Sequence, residues 1–235
     1  MNKNVLIHPS SFILHPFDAA RPCRRGNDVL SLWYPLIPGK RTFMRTQIRI
    51  VAGSLRGRKL TCTVNASLRP TPQRVREALF SILGNAVPDR PFVDIFAGTG
   101  VVGLEALSRG ASAVTFIERD FRLIGDLERH IDEFEVGAQA HIARSDVYRW
   151  IERWQAPDEP VTLFLSPPFR DLEHRLDELL SVIAQLQERA SPGSVIVLQA
   201  ENNAHLDELP ARIEWDERRY GRNVLLIWVK AEVSG

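Results

Sequence analysis

Cysteine is scarce in this 235-residue chain: Cys23 and Cys62 are its two copies, far apart in basic, polar stretches. They supply neither a disulfide framework nor a metal cluster, as expected for a reducing cytoplasm, and no metal site is expected. No apolar run reaches the roughly 18 residues a transmembrane helix needs, and no repeat or low-complexity tract is present. Acidic residues are nearly missing from one end. Residues 1–76 hold 14 Lys+Arg against 2 Asp+Glu, a net of +12, whereas residues 77–235 hold 16 against 27, a net of −11. With 44% hydrophobic and 25% charged residues, the composition is globular and excludes collagen-like and disordered classes. A basic arm on an acidic body points to nucleic acid as partner; the alternative is a solvated tail.

Residues 1–44 are broken by His8-Pro9, His15-Pro16, Arg21-Pro22 and Tyr34-Pro35, since proline restricts itself and the residue before it. The two His-Pro pairs interrupt Val5–Phe17 and argue against a secretory signal, while Arg21, Arg24 and Arg25 are in keeping with an organellar transit peptide. The segment reads as a disordered leader or as sequence upstream of a start at Met44, and the second is favoured. From Arg45 to Leu60, alternation and Gly53 predict a two-stranded ribbon with a basic loop. Thr71 as cap and Pro72 at the first position then predict a helix over Gln73–Leu83, ended by Gly84. Val75, Leu79, Ile82 and Leu83 form its apolar stripe. Five strands follow, at 92–96, 114–118, 140–143, 161–165 and 195–199, separated by helices at 101–108, 121–133 and 171–189. Such alternation implies right-handed crossovers and an open, doubly wound α/β sheet. Arg212–Trp215 and Val224–Val229, joined by a turn at Gly221, predict a closing antiparallel hairpin.

The strongest motif is Asp94-Ile95-Phe96-Ala97-Gly98-Thr99-Gly100-Val101-Val102-Gly103. Glycines between a strand and a helix let the backbone turn sharply and approach a ligand, and the helix start favours accepting groups. Glu118 ends the next strand, where a carboxylate can take the two hydroxyls of a ribose. The same pattern fits a nicotinamide dinucleotide, so an oxidoreductase is a rival, and a tight turn without ligand is the plain alternative. Asp94 suits the cationic amino group of S-adenosylmethionine; the purely structural reading is a solvated strand end. Asp146 serves either as acceptor for an adenine amino group or as cap of a helix from Val147.

After the fourth strand stands Leu165-Ser166-Pro167-Pro168-Phe169. Two prolines without N–H donors leave rigid, outward-pointing carbonyls at the carboxyl edge of a parallel sheet, where such sheets bind ligands. Phe169 presents a face for stacking on a base. On its own the segment reads as a strand-ending turn with a core phenylalanine; behind a glycine loop it reads as a site.

From about Thr46 to Val229 the chain resembles the bacterial small-subunit ribosomal RNA (guanine-N2)-methyltransferase family. The matching stretches are Arg49–Gly53, Arg56–Leu60, Arg69–Thr71, Arg74–Phe80, Asp94–Gly100, Gly103–Ala111, Glu118–Asp120 and Arg219–Gly221. The resemblance implies a Rossmann-like class I methyltransferase fold, with a mostly parallel seven-stranded sheet and a small basic N-terminal extension. It implies S-adenosylmethionine as methyl donor and ribosomal RNA, free or in an assembling small subunit, as acceptor. The sequence itself gives no oligomeric state, and a monomer is favoured. The expected parts are a leader at 1–44, a basic RNA-binding ribbon and helix at 45–84, and a donor-binding domain at 85–235. Donor contacts are expected from Asp94, Phe96, Ala97, Gly98, Thr99, Gly100, Glu118 and Asp146. Ser166, Pro167 and Phe169 are expected to hold the target base, and Arg45, Arg49, Arg56, Arg58, Lys59, Arg69 and Arg74 the RNA backbone. Arg76 either extends that surface or braces the glycine-loop domain, and Arg74 and Glu77 are spaced to form a helix pair. One departure stands out: amino-methylating relatives carry Asp or Asn where this chain has Ser166. An RNA-binding homologue without catalysis is therefore the second rival.

Overall fold

The computed structural model describes residues 44–64, 68–201, 204 and 206–232. The expectations for the leader fall outside them, apart from Met44 itself. The chain runs β1 (Met44–Arg49), β2 (Lys59–Val64), α1 (Gln73–Leu83), β3 (Pro91–Ile95), α2 (Val101–Ser108), β4 (Ala113–Glu118), α3 (Phe121–Glu133), β5 (Ala140–Arg144) and α4 (Val147–Trp150). It continues through β6 (Thr162–Leu165), α5 (Phe169–His174), α6 (Leu176–Arg189), β7 (Val195–Glu201), β8 (Asp216–Tyr220) and β9 (Asn223–Val229).

The main sheet has the order β5-β4-β3-β6-β7-β9-β8, parallel through β7 and closed by the antiparallel pairs β7/β9 and β9/β8. This is the doubly wound sheet with terminal hairpin that the alternation predicts. Side chains of a strand point to alternate faces, and here successive residues enter two separate cores. Phe92, Phe164, Val197 and Leu225 pack with α1, α2, α3 and the ribbon. Val93, Leu163, Leu165, Ile196 and Leu226 pack with α4 and α6. Helix α6 shows why it lies there: Leu179, Val182, Ile183 and Leu186 repeat at three and four residues and are all buried.

Strands β1 and β2 form a separate antiparallel ribbon, with Arg49 opposite Lys59. The loop between them is docked on the end of α2. Ser54 N–H donates to Ser108 O at 2.7 Å, and Leu55 N–H to Ser108 Oγ at 2.9 Å. A Cβ on Gly53 would stand 1.6 Å from that same carbonyl, so only glycine allows the approach. Cys62, in a basic stretch of sequence, turns its thiol inward, where burial and the charge of Asp126 push it up to about 12.

Four local expectations are corrected. Thr71 does not cap α1: Pro72 holds the cap position without a side-chain bond, and the Thr71 hydroxyl donates to Gln199 Oε1 at 2.8 Å. The helix expected over 171–189 begins at Phe169 and is interrupted at Arg175, whose φ of −136° is not helical. Arg212–Glu214 is a short 3-10 turn, so the hairpin strand starts at Asp216. Glu77 pairs with Gln73, at 2.9 Å, while Arg74 projects into solvent.

Candidate active site

The carboxyl ends of β3, β4, β5, β6 and β7 and the start of β9 open into one cavity of about 810 Å³. Its walls carry Phe96, Gly98 and Glu118 on one side and Gln199, Glu201 and Asn223 on the other, with Ser166–Phe169 between them. The two sequence motifs thus meet in one space. Leu68, Arg69 and Pro70, on the way into α1, form part of the rim.

Strand order explains the meeting. β3 and β6 are hydrogen-bonded neighbours, with Ile95 opposite Leu165, so the glycine loop and the Ser-Pro-Pro-Phe segment leave the sheet side by side. Ser166 N–H still donates to Ile95 O at 3.2 Å, which anchors the segment before the two prolines carry the chain away from the sheet. Ser166 is half-buried, Pro167 buried, and Phe169 41% exposed, a large ring left uncovered at the cavity mouth.

In the glycine loop, Phe96, Gly98 and Gly100 all have positive φ, at 64°, 57° and 71°. For Phe96 this is a strained backbone of the kind that clusters at ligand sites. Gly100 is the residue before α2, and a Cβ there would come within 2.4 Å of Leu127. Glu118 closes over the loop. One of its oxygens accepts from Gly98 N–H at 2.8 Å, and the other accepts from the N–H groups of Arg119 and Asp120, each at 2.8 Å. The carboxylate is thereby held at the cavity wall by backbone donors.

Asp94 is placed differently from the expectation. It is 1% exposed, does not line the cavity, and accepts from Gly103 N–H at 2.9 Å. Its carboxyl thus caps the first turn of α2 from below instead of facing a ligand. Burial raises its pKa to about 7, with the Gly103 bond working against the shift and the charge of Glu118 adding to it. Ala97 and Thr99 are also buried, and with Gly100 they shape the loop from behind the cavity wall. Asp146 fills the capping role: Oδ1 accepts from Tyr148 N–H at 3.0 Å, while Oδ2 pairs with Arg119 at 2.6 Å. It lines the cavity as well, so its two expected roles are compatible.

Of the expected RNA contacts, Arg45, Arg49, Arg56 and Lys59 are exposed on the ribbon and Arg74 on α1. Arg58 bends onto α3, donating to Glu133 O at 3.3 Å and lying over the Phe134 ring at 5.3 Å. Arg69 sits at the cavity rim. Arg76 belongs to the interior. At 1% exposure it binds Glu105 at 3.0 Å and donates to Thr71 O and Arg49 O, both at 2.7 Å. It braces the ribbon and the α1 entry against α2, the helix that starts at the glycine loop.

A family model described as conserved hypothetical protein 95 matches residues 48–229. The chain belongs to that family. Among similar proteins, Ribosomal RNA small subunit methyltransferase D of Escherichia coli is 40% identical over 124 residues, 53% of this chain and 61% of that protein. YlbH of Bacillus subtilis, provisionally named an rRNA methyltransferase, is 31% identical over 71% of this chain and 88% of its own length. The solved E. coli structure yhhF, described provisionally as a methyltransferase, superposes with a TM-score of 0.65 at 32% identity, covering 80% of this chain and all of that one.

This family member has further residues in and behind the cavity wall that the motifs do not announce. Asp171, 5% exposed, accepts from the Tyr148 hydroxyl at 2.8 Å, and burial with that bond holds the phenol well above its usual range. Arg175 lies over the Tyr148 ring at 3.6 Å. Gln199 takes the Thr71 hydroxyl on its oxygen and donates its amide N–H to Asn223 at 3.2 Å. Gln199 and Glu201 end a parallel strand at the ligand edge, and that position is the signal by which the sequence could have shown them.

Proposed function

We propose that this chain transfers a methyl group from S-adenosylmethionine to the exocyclic N2 amino group of a guanine in small-subunit ribosomal RNA. The observation that carries the reading is the single cavity joining the Glu118 side of the sheet to Ser166–Phe169. Family membership and the RNA methyltransferase relatives support it and favour it over the nicotinamide alternative.

The residues present suit the donor. Glu118 is fixed with both oxygens at the wall, able to accept from a ribose diol, and Asp146 stands near it for an adenine amino group. Phe96, Ile117, Val147 and Leu172 supply apolar wall, and Gly98 keeps the floor low. S-adenosylmethionine, when bound, supplies an electrophilic methyl group on a positively charged sulfur. The rest of the chemistry is positioning. The amino group of guanine is conjugated with its ring and is a poor nucleophile. Ser166 Oγ and the Pro167 carbonyl accept its two N–H bonds, which draws the nitrogen toward a tetrahedral shape and exposes its lone pair. As nitrogen gained the methyl group, the carbon–sulfur bond would break to leave a neutral thioether, and the nitrogen would shed one proton to solvent past Ser166 Oγ. Phe169 stacks on the ring after the base has left its own stack, a displacement that costs a few kcal/mol. The exposed cations of β1, β2, the loop between them and α1 hold the phosphates, so the ribbon and α1 serve as the RNA-binding part and the main sheet as the donor-binding part.

The natural setting for such a substrate is the cytoplasm, as naked RNA or within an assembling small subunit. Among the described residues no helix is long and apolar enough to cross a membrane. The test is transfer of tritium from labelled donor to undermethylated small-subunit RNA, naked or in particles, with nucleoside mass spectrometry of the product. N2-methylguanosine is the expected product. Donor and RNA binding without transfer would instead support the silent homologue suggested by Ser166.

A further inference from the structure

A motif that holds an amino group does not by itself choose among guanine, adenine and cytosine, all of which carry one. The far wall of the cavity bears on that choice. Past the end of β6, the next strand continues, and its Gln199 and Glu201 share one face because side chains alternate along a strand. Glu201 lies opposite Asn223 of β9, and both line the cavity with Ser166 and Pro167. Glu201 is paired with Arg69 across 3.4 Å, with 38% of its own side chain and 72% of the arginine's exposed. The two therefore present one acceptor and one donor at the cavity wall. An exposed pair of this kind is weak and easily reoriented by a competing partner. Gln199 is different: its amide is used on both sides, by Thr71 and Asn223, and it stiffens the wall behind the pair.

We infer that Glu201 and Arg69 read the base next to its reacting amino group and make the site selective for guanine. This rests on the methyl-transfer reading above. Along the edge of guanine the order is amino group, N1–H donor, O6 acceptor. With the amino group held by Ser166 and Pro167, the next group is a donor, which the Glu201 carboxylate accepts, and then an acceptor, which the Arg69 guanidinium meets. In adenine and in cytosine the ring atom beside the amino group is a bare nitrogen acceptor. Facing a carboxylate, that atom is repelled and the carboxylate loses its water without gaining a partner. A site built to hydrogen-bond one group rejects the analogue lacking it far more strongly than an apolar pocket does.

The deciding experiment maps the methylated guanine in undermethylated small-subunit RNA. It then compares oligonucleotides spanning it with guanine or 2-aminopurine at that position. 2-Aminopurine keeps the same amino group but turns N1 into an acceptor and lacks O6. The wild-type protein is expected to methylate the guanine oligonucleotide at least about a hundredfold faster. Glu201→Gln, whose amide donates to N1 of the analogue, is expected to narrow that preference at least about tenfold, with S-adenosylhomocysteine affinity unchanged as the check on folding. Comparable wild-type rates on the two oligonucleotides overturn the role of Glu201 and Arg69 while leaving methyl transfer to the amino group standing. An unchanged preference in a Glu201→Gln protein that binds S-adenosylhomocysteine normally overturns it too. Absence of any guanine methylation by the wild type removes both readings. If Glu201→Gln loses S-adenosylhomocysteine binding, the wild-type comparison alone decides.

Discussion

Arg76 offers the sharpest test of how the ribbon and the glycine loop are held together. It is almost fully buried, and its partner Glu105 is 0% exposed. Arg76→Met keeps most of the volume and removes three charge-assisted bonds at once, to Glu105, to Thr71 O and to Arg49 O. Glu105 retains Arg109 at 2.8 Å, so its charge is not left alone, but that arginine lies toward the surface. Removing one partner of a buried pair costs about 3–5 kcal/mol, and here the cost comes from the weaker neutralisation of Glu105 together with the two carbonyls, Thr71 O and Arg49 O, that lose their donor. For a chain of this size that is a fall in melting temperature of roughly 6–20 °C. Urea denaturation followed by circular dichroism measures it. The double variant Arg76→Met, Glu105→Met replaces the pair with apolar surface and should recover at least about half of the loss. A loss below about 1 kcal/mol in the single variant, or a double variant that simply sums two losses, refutes the account.

Three other outcomes follow from the geometry. Ser166→Asn gives the longer acceptor its amino-methylating relatives carry, and single-turnover rates should rise by up to about a hundredfold, the effect expected of a 1 Å correction; a fall would mean a site tuned around serine. Asp94 has a folded-state pKa of about 7, above the ordinary 3.8, so the folded state holds its proton more tightly than the unfolded one. Its contribution to stability is therefore present below about pH 4, falls as pH rises toward 7 and stays level above. Asp94→Asn, whose oxygen still accepts from Gly103, should remove that decline when unfolding is compared at pH 5 and pH 8; equal pH slopes in the two proteins refute the buried-carboxyl explanation. Removing the exposed cations Arg49, Arg56 and Lys59 together should lower the slope of log affinity for RNA against log salt by about 2–3, at roughly 0.7–0.9 for each phosphate no longer neutralised. Nitrocellulose filter binding across salt concentrations measures this, and an unchanged slope would move the RNA surface elsewhere.

Much of the fold was legible because its signals are local. Glycine, proline and the period of apolar residues mark the starts and ends of β3, α2, β4 and α3 almost to the residue. The errors lie where a local signal met a stronger tertiary one. Thr71 has the chemistry of a cap, yet the end of β7 brings Gln199 within reach and takes its hydroxyl. Arg175 looks like one more residue of an amphipathic helix, yet its backbone leaves the helical region and its guanidinium lies over Tyr148. Arg212–Trp215 has apolar spacing that suits a strand, yet Ile213 is 98% exposed and finds no core to enter.

By itself the sequence determined the order of elements, the two motifs and the basic character of the ribbon, because each depends on residues close together in the chain. It could not settle which side chains of distant elements would share a space. Only the tertiary structure brought Glu201 and Arg69 into one cavity with Ser166, set Asp94 beneath the helix it caps, and chose for Arg76 the interior brace over the RNA surface. The physical reason is the parallel sheet: neighbouring strands are joined by long crossovers, so residues that meet at its carboxyl edge lie tens of residues apart along the chain.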